Sequence, residues 1–260
     1  MSLLRRQYNR FLEEKKHSVK DQSIKFLTHK SEYVHLAPPI HAKDYYPRWY
    51  KNLSRQDDQN KKTLKTCPSI FDIMTEGYII PLWLDLKIKN DNGVFEWDNN
   101  GVDEITIETF GPSAVDGMPL NDSTQNTVFK FVNPWNIITP PGWSVYITQP
   151  WYHRNLDFEI LPGIIETDSY HQSNLPFIYK SVGDAFYKQG TPLAQVIPFK
   201  RKETLNLVVE EMDKLDMKYY TNSRAAERTQ VKGYYRWLTK KNKQKWKLKG
   251  ILWRNVQCLI

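Results

Sequence analysis

A chain of 260 residues with 40% hydrophobic and 25% charged side chains can bury a core and is not disordered throughout. Its net charge of +8 admits nucleic acid or an anionic surface as partner without requiring either. No apolar run approaches the ~20 residues that span a bilayer, so no membrane is expected, and Met-Ser-Leu-Leu-Arg-Arg at the start turns polar at once, unlike a secretory signal.

In chain order, Leu4, Tyr8, Phe11 and Leu12 recur at helical spacing among Arg, Lys and Glu, which predicts an amphipathic N-terminal helix. Ile24, Phe26 and Leu27 are read as its continuation after a break. Residues 36–69 follow, where Pro38, Pro39, Pro47 and Pro68 forbid long regular structure. Tyr45, Tyr46, Trp49 and Tyr50 in this stretch need a surface to lie against, so it is read as an extended aromatic arm or an irregular lead-in wrapping a core. From Ile70 to Lys200 the period becomes two. Leu82, Leu84, Leu86 and Ile88 alternate with other residues, and "EITIETF", "NTVFKFV", "WSVYITQ" and "TPLAQVIPF" behave alike. Asp91-Asn92-Gly93 predicts a hairpin turn, and Pro140-Pro141-Gly142 a tight turn joining two strands. Gly and Pro punctuate the strands every ten residues or so, as in a sandwich or barrel.

Beyond Lys202, Leu205, Val208, Val209, Met212 and Leu215 fall on one side of a predicted helix of several turns. A basic, aromatic tail ends the chain. The expected fold is therefore mainly β, in three segments: 1–69 as helix and arm, 70–202 as β core, and 203–260 as helix and tail.

Catalytic signatures are sparse. There is no dinucleotide fingerprint, no phosphate loop and no nucleophile elbow. Cys67 and Cys258 have no nearby His, and they fit free thiols in a reducing compartment better than a disulfide framework. His153, Asp157, Glu159 and His171 are potential metal donors, but no His-x-Asp or His-x-Glu pair occurs, and the His153–Asp157 spacing suits a helix where the sequence reads as strand and loop. No metal site is expected. Glu166-Thr167-Asp168 follows the strand-like "DFEIL" and a glycine. A carboxylate there serves either as a general base, if burial raises its pKa, or as a turn cap on backbone amides; capping is the preferred reading. In the tail, Trp237, Lys240, Lys241, Lys243, Lys245 and Trp246 either track a nucleic-acid backbone with stacked bases or dock their rings on protein. Docking is preferred.

Two resemblances stand on short motifs. "GIIETDSY" followed by "QGTPLAQVIPF", with "PPGWSVYI" ahead of both, resembles the β-clip fold of dUTPases and dCTP deaminases over residues 133–200. Gly163, Ile165 and Asp168 match the first element, and Gly190, Leu193, Ala194, Gln195 and Val196 the second. The resemblance implies a β-clip-like core. On the nucleotide-hydrolase alternative it also implies Glu166 or Asp168 activating water with Mg, and Arg154 and Gln195 as ligand contacts. The family's Pro-Arg-Ser-Gly segment is replaced by "QPWYHRNLDF", and its glycine-rich closing arm by "YYRWLTKKNK". A longer likeness runs in order through "DYYPRWYKNL", "CPSIFDIMTEGYIIPLWLDL", "NPWNIITPPGWSVYITQP", "LPGIIETD" and "GTPLAQVIPFKR". It resembles a family of uncharacterised tailed-phage proteins, especially of cyanophages, with some bacterial members.

The expected function is a non-catalytic phage-type interaction or structural protein whose arms grip partners: its own copies or other phage proteins. The expected location is the host cytoplasm or the virion, with no cofactor. A dUTPase- or deaminase-like nucleotide hydrolase is the first alternative, and nucleic-acid binding through the tail the second.

Overall fold

A computed structural model of the chain describes residues 23–91, 94–99, 106–111, 113–114, 116–118, 128–153, 157–181, 183–201 and 206–228. The expected N-terminal helix, Arg154 and the basic tail lie outside the described residues. Those up to Leu53 and those of Phe71–Lys202 form one compact unit, and those of Ser54–Ile70 and from 203 onward form a second. The aromatic lead-in as far as Leu53 lies in the same compact unit as the β strands.

The first unit is mainly β, as its alternation predicts. Its elements begin with β1 (Lys25–Leu27), α1 (Tyr33–Leu36), β2 (Ile40–His41), a 3-10 turn at Ala42–Asp44 and α2 (Arg48–Asn52). After α3 (Pro68–Thr75) come β3 (Tyr78–Pro81), β4 (Leu86–Asp91), β5 (Val94–Asp98), β6 (Ile107–Thr109) and β7 (Val128–Phe131). Then follow β8 (Asn136–Ile138), β9 (Trp143–Thr148), β10 (Phe158–Ile160) and β11 (Gly163–Ile165). β12 (Leu175–Tyr179), β13 (Ala185–Tyr187) and β14 (Pro192–Lys200) complete it.

Every pairing among these strands is antiparallel. One sheet runs β11-β9-β14-β3-β2, a second β10-β12-β7-β6, a third β13-β4-β5, and β1 pairs with β8. Residues from all three larger sheets share one apolar core: Ile80, Val145 and Val196 from the first, Phe131, Phe158 and Phe177 from the second, Leu86 and Ile88 from the third. At its centre the Phe131 and Phe177 rings stack with centroids 4.3 Å apart, and Trp83 is fully buried with its ring edge-on to Phe131.

Three local expectations are revised. Residues 25–27 are a strand and not helix: Phe26 pairs with Ile137 and its ring meets Tyr78, so a sheet edge and an aromatic contact override weak helical spacing in so short a segment. The alternating run Leu82–Ile88 is broken, because the chain leaves one sheet at Pro81 and enters another at Leu86. The crossing is pinned by Gln189, whose backbone N–H donates to Asp85 Oδ1 and whose side chain donates to Trp83 O, each at 2.8 Å. Third, the helix of the second unit, α4 (Lys214–Arg228), starts later than predicted. Asp213 Oδ1 accepts from Asp216 N at 2.7 Å and caps the helix there, leaving residues 206–213 outside it.

The turn expectations fit the geometry. β4 and β5 pair Asp91 with Val94, a two-residue connection. At Pro140-Pro141-Gly142, Trp143 N donates to Pro140 O at 3.1 Å and Gly142 takes φ +79°, the glycine position of a type II turn. Ahead of β3, Gly77 sits at φ +72°, where a Cβ would lie 2.1 Å from Val196 O, so the close approach of β3 to β14 depends on a missing side chain. Among the described residues no helix is long and apolar enough to cross a membrane.

Candidate functional site

The acidic turn after β11 is built into the sheet. The amides of Ser169 and Tyr170 donate to Glu166 O at 2.9 Å, and the buried hydroxyls of Thr139 and Thr167 meet at 2.7 Å. Asp168, its side chain only 9% exposed, accepts from Gly142 N at 2.8 Å. Arg201, just past β14, donates to Asp168 Oδ1 at 3.0 Å and its second terminal nitrogen pairs with Oδ2. The same guanidinium reaches Trp143 O at 3.0 Å and Ser144 Oγ at 2.9 Å, while Arg201 N donates to Gly142 O at 2.8 Å. A two-pronged ion pair therefore clamps the acidic turn, the Pro-Pro-Gly turn and the end of β14.

Arg201, hydrogen-bonded to Asp168, holds that carboxyl below its ordinary pKa; the Gly142 amide adds to this, against the opposing effect of burial. A general base near neutrality needs the opposite shift. Glu166 is exposed and lies 3.8 Å from Arg201. In accepting from the Gly142 amide, Asp168 makes the kind of contact by which a carboxylate caps a turn. Arg201 closes the "GTPLAQVIPFKR" run, where nothing local marks it as the partner of an acid 33 residues earlier.

Gln195 is buried in β14. Its Nε2 donates to Ile73 O and Glu76 O, each at 2.8 Å, and its Oε1 accepts from Trp151 N at 3.3 Å. Its amide thus satisfies carbonyls left over at the C-terminal end of α3. Arg154, Trp237, Lys240, Lys241, Lys243, Lys245 and Trp246 lie outside the described residues.

The potential metal donors go separate ways. Asp157 accepts from Ser181 Oγ at 2.7 Å and from Tyr187 Oη. Glu159 pairs with Lys180, His171 Nδ1 lies 3.0 Å from Thr167 O, and His153 stacks on Tyr45. Among the described residues no three His, Cys, Asp or Glu side chains come together as a metal site. Tyr187 also meets Tyr179, their hydroxyls 3.2 Å apart, and burial pushes both phenols up in pKa.

The second unit presents a different feature. Leu207 and Val209 are 89% and 85% exposed, and Val208, Met212, Leu215, Met217, Tyr219 and Tyr220 are exposed as well. Acids stand among them: Glu210, Glu211, Asp213 and Asp216. Apolar groups this densely exposed are uncommon on the surfaces of monomeric proteins.

No protein-family model matches this chain, and no curated protein matches it. Among solved structures, the native EIAV dUTPase is similar over 53% of this chain and 85% of that one, at 12% sequence identity and a TM-score of 0.30.

Proposed function

We propose that this chain is a non-catalytic interaction protein: a β core carrying an apolar, acidic arm through which it grips a second copy of itself. The exposure of Leu207, Val208, Val209 and Met212 on one short stretch carries this reading. Burying each such side chain is worth roughly 1.5–3 kcal/mol, so a few together can drive association. In sequence, residues 203–216 hold Glu203, Glu210, Glu211, Asp213 and Asp216 against Lys214 as their lone base. The tail from Lys232 to Arg254 holds lysine and arginine and no acid. The acidic arm of one copy and the basic tail of another are complementary, and a reciprocal exchange closes on itself as a dimer. The internal clamp on Asp168 supports the non-catalytic half of the proposal. The sequence likeness to tailed-phage proteins favours particle assembly as the setting, with another phage protein as the alternative occupant.

Sedimentation velocity of the full chain at micromolar concentrations tests it. A dimer or larger closed oligomer is expected, falling to monomer when Val208, Val209 and Met212 are replaced together by Ser. A folded wild-type monomer at every concentration would overturn self-association. Hydrolysis of a deoxynucleoside triphosphate with magnesium, lost in Asp168→Asn, would overturn the non-catalytic assignment.

A further inference from the structure

The lead-in segment, with His153 and Pro192, builds a cleft within the first unit that neither the clamp nor the arm uses. It has a volume of about 510 Å³ and is lined by Asp44, Tyr45, Tyr46, Arg48, Trp49 and His153 among others. Its rings are fixed by their polar ends. Trp49 Nε1 donates to Tyr152 O at 2.8 Å, and Tyr45 Oη donates to Gly190 O at 3.3 Å. What remains for a ligand is ring surface. Tyr45 and His153 lie nearly parallel, 15° between planes and 5.8 Å between centroids. Burial holds His153 below its ordinary pKa, so at neutral pH it is an uncharged ring and not a cation.

Beside the cleft, Trp151 and Tyr152 are 37% and 42% exposed, their centroids 6.2 Å apart, and Tyr152 stands edge-on to Trp49. Tyr152 takes φ +62°, a conformation uncommon for a bulky residue, which the structure holds in place while both rings keep part of their surface in solvent. Two cations border the same surface: exposed Arg48, and Lys51, whose ammonium lies 5.0 Å from the Tyr46 ring centre.

We propose that this cleft and the Trp151–Tyr152 step form a site for single-stranded nucleic acid, distinct from the basic tail. Bases stack on Trp151 and on the rings of the cleft, Arg48 and Lys51 meet the phosphates, and Asp44 accepts from a base amino group. Ring faces with flanking cations are the means by which unpaired strands are held without sequence reading, and the chain's net charge of +8 favours the approach of a polyanion. A proline-rich peptide fits less well. Such ligands are held by ring N–H and O–H donors facing their carbonyls, and here the Trp49 and Tyr45 donors are spent internally.

Fluorescence anisotropy with labelled oligo-dT and oligo-U, using the full chain at low and moderate salt, tests the site. Arg48→Gln with Lys51→Gln should weaken binding at least tenfold and lower the slope of log K against log salt by about 1.4. Trp151→Ser should weaken it about five- to a hundredfold with the slope unchanged, the mark of a lost stack. All three substitutions are at exposed residues, and thermal melts identify either variant that fails to fold, leaving the other to decide. The oligo-dT and oligo-U arms separate DNA from RNA preference. Three results would each overturn the proposal: no binding at low salt, duplex bound as tightly as single strand, or wild-type affinity in both variants with loss only on removing residues 232–260.

Discussion

Replacing Gln195 by Leu removes a side chain of similar size whose whole amide is engaged. Its Nε2 serves Ile73 O and Glu76 O, and its Oε1 receives Trp151 N. The residue is 1% exposed, so its three partners would face an apolar side chain, and half-buried Ile73 recovers less of its loss from solvent than exposed Glu76 does. A buried group left unpaired costs about 1–3 kcal/mol, and the other bonds contribute about 1 kcal/mol each, giving roughly 2–4 kcal/mol in all. For a unit of this size that corresponds to a fall in Tm of about 5–15 °C. Urea denaturation and calorimetry of wild type and Gln195→Leu measure both quantities. Gln195→Glu sharpens the test. Its carboxylate turns acceptors toward carbonyls, so it should be worse than Leu at neutral pH and partly recover on acidification, when the protonated acid can donate. A change below about 0.5 kcal/mol for Leu would refute the reasoning and free Gln195 for the ligand-binding role that the sequence resemblance implies.

Three further outcomes follow from the geometry. Asp168 has a depressed pKa in the folded chain, so its stabilising contribution is complete above the unfolded carboxylate value of about 3.9 and is lost as pH falls through the lower folded one. Urea midpoints should therefore drop below about pH 4 in wild type and less steeply in Asp168→Asn. Gly77→Ala places a methyl group 2.1 Å from Val196 O at φ +72°, and should cost more than about 2 kcal/mol in thermal denaturation; an unchanged Tm would mean that β3 and β14 can separate freely. The raised phenols of Tyr179 and Tyr187 ionise first in the unfolded chain, so stability should fall as pH rises past about 10. Tyr187→Phe should flatten that fall while lowering stability at neutral pH, because Asp157 loses a donor, as paired pH-dependent melts would report.

The sequence by itself determined what is local. Period-two alternation in "LKIKND" became a strand whose Leu86, Ile88 and Asn90 are buried and whose Lys87, Lys89 and Asp91 are exposed. Pro140-Pro141-Gly142 dictated its turn because proline fixes φ and glycine alone takes the positive one easily. The prolines of residues 36–69 kept that stretch to short elements. Tertiary structure decided what those elements meet. The charge partner of Asp168 is Arg201, 33 residues away in sequence and hydrogen-bonded to it in space. The clustering of Tyr45, Trp49 and His153 in one cleft, and the engagement of Gln195 with the end of α3, join segments a hundred or so residues apart. Alternation and turn chemistry arise from neighbouring dihedrals and from which side chains seek water, and a single sequence displays both. A charge partner or an aromatic wall comes from distant strands brought together by core packing, and no local pattern encodes that encounter.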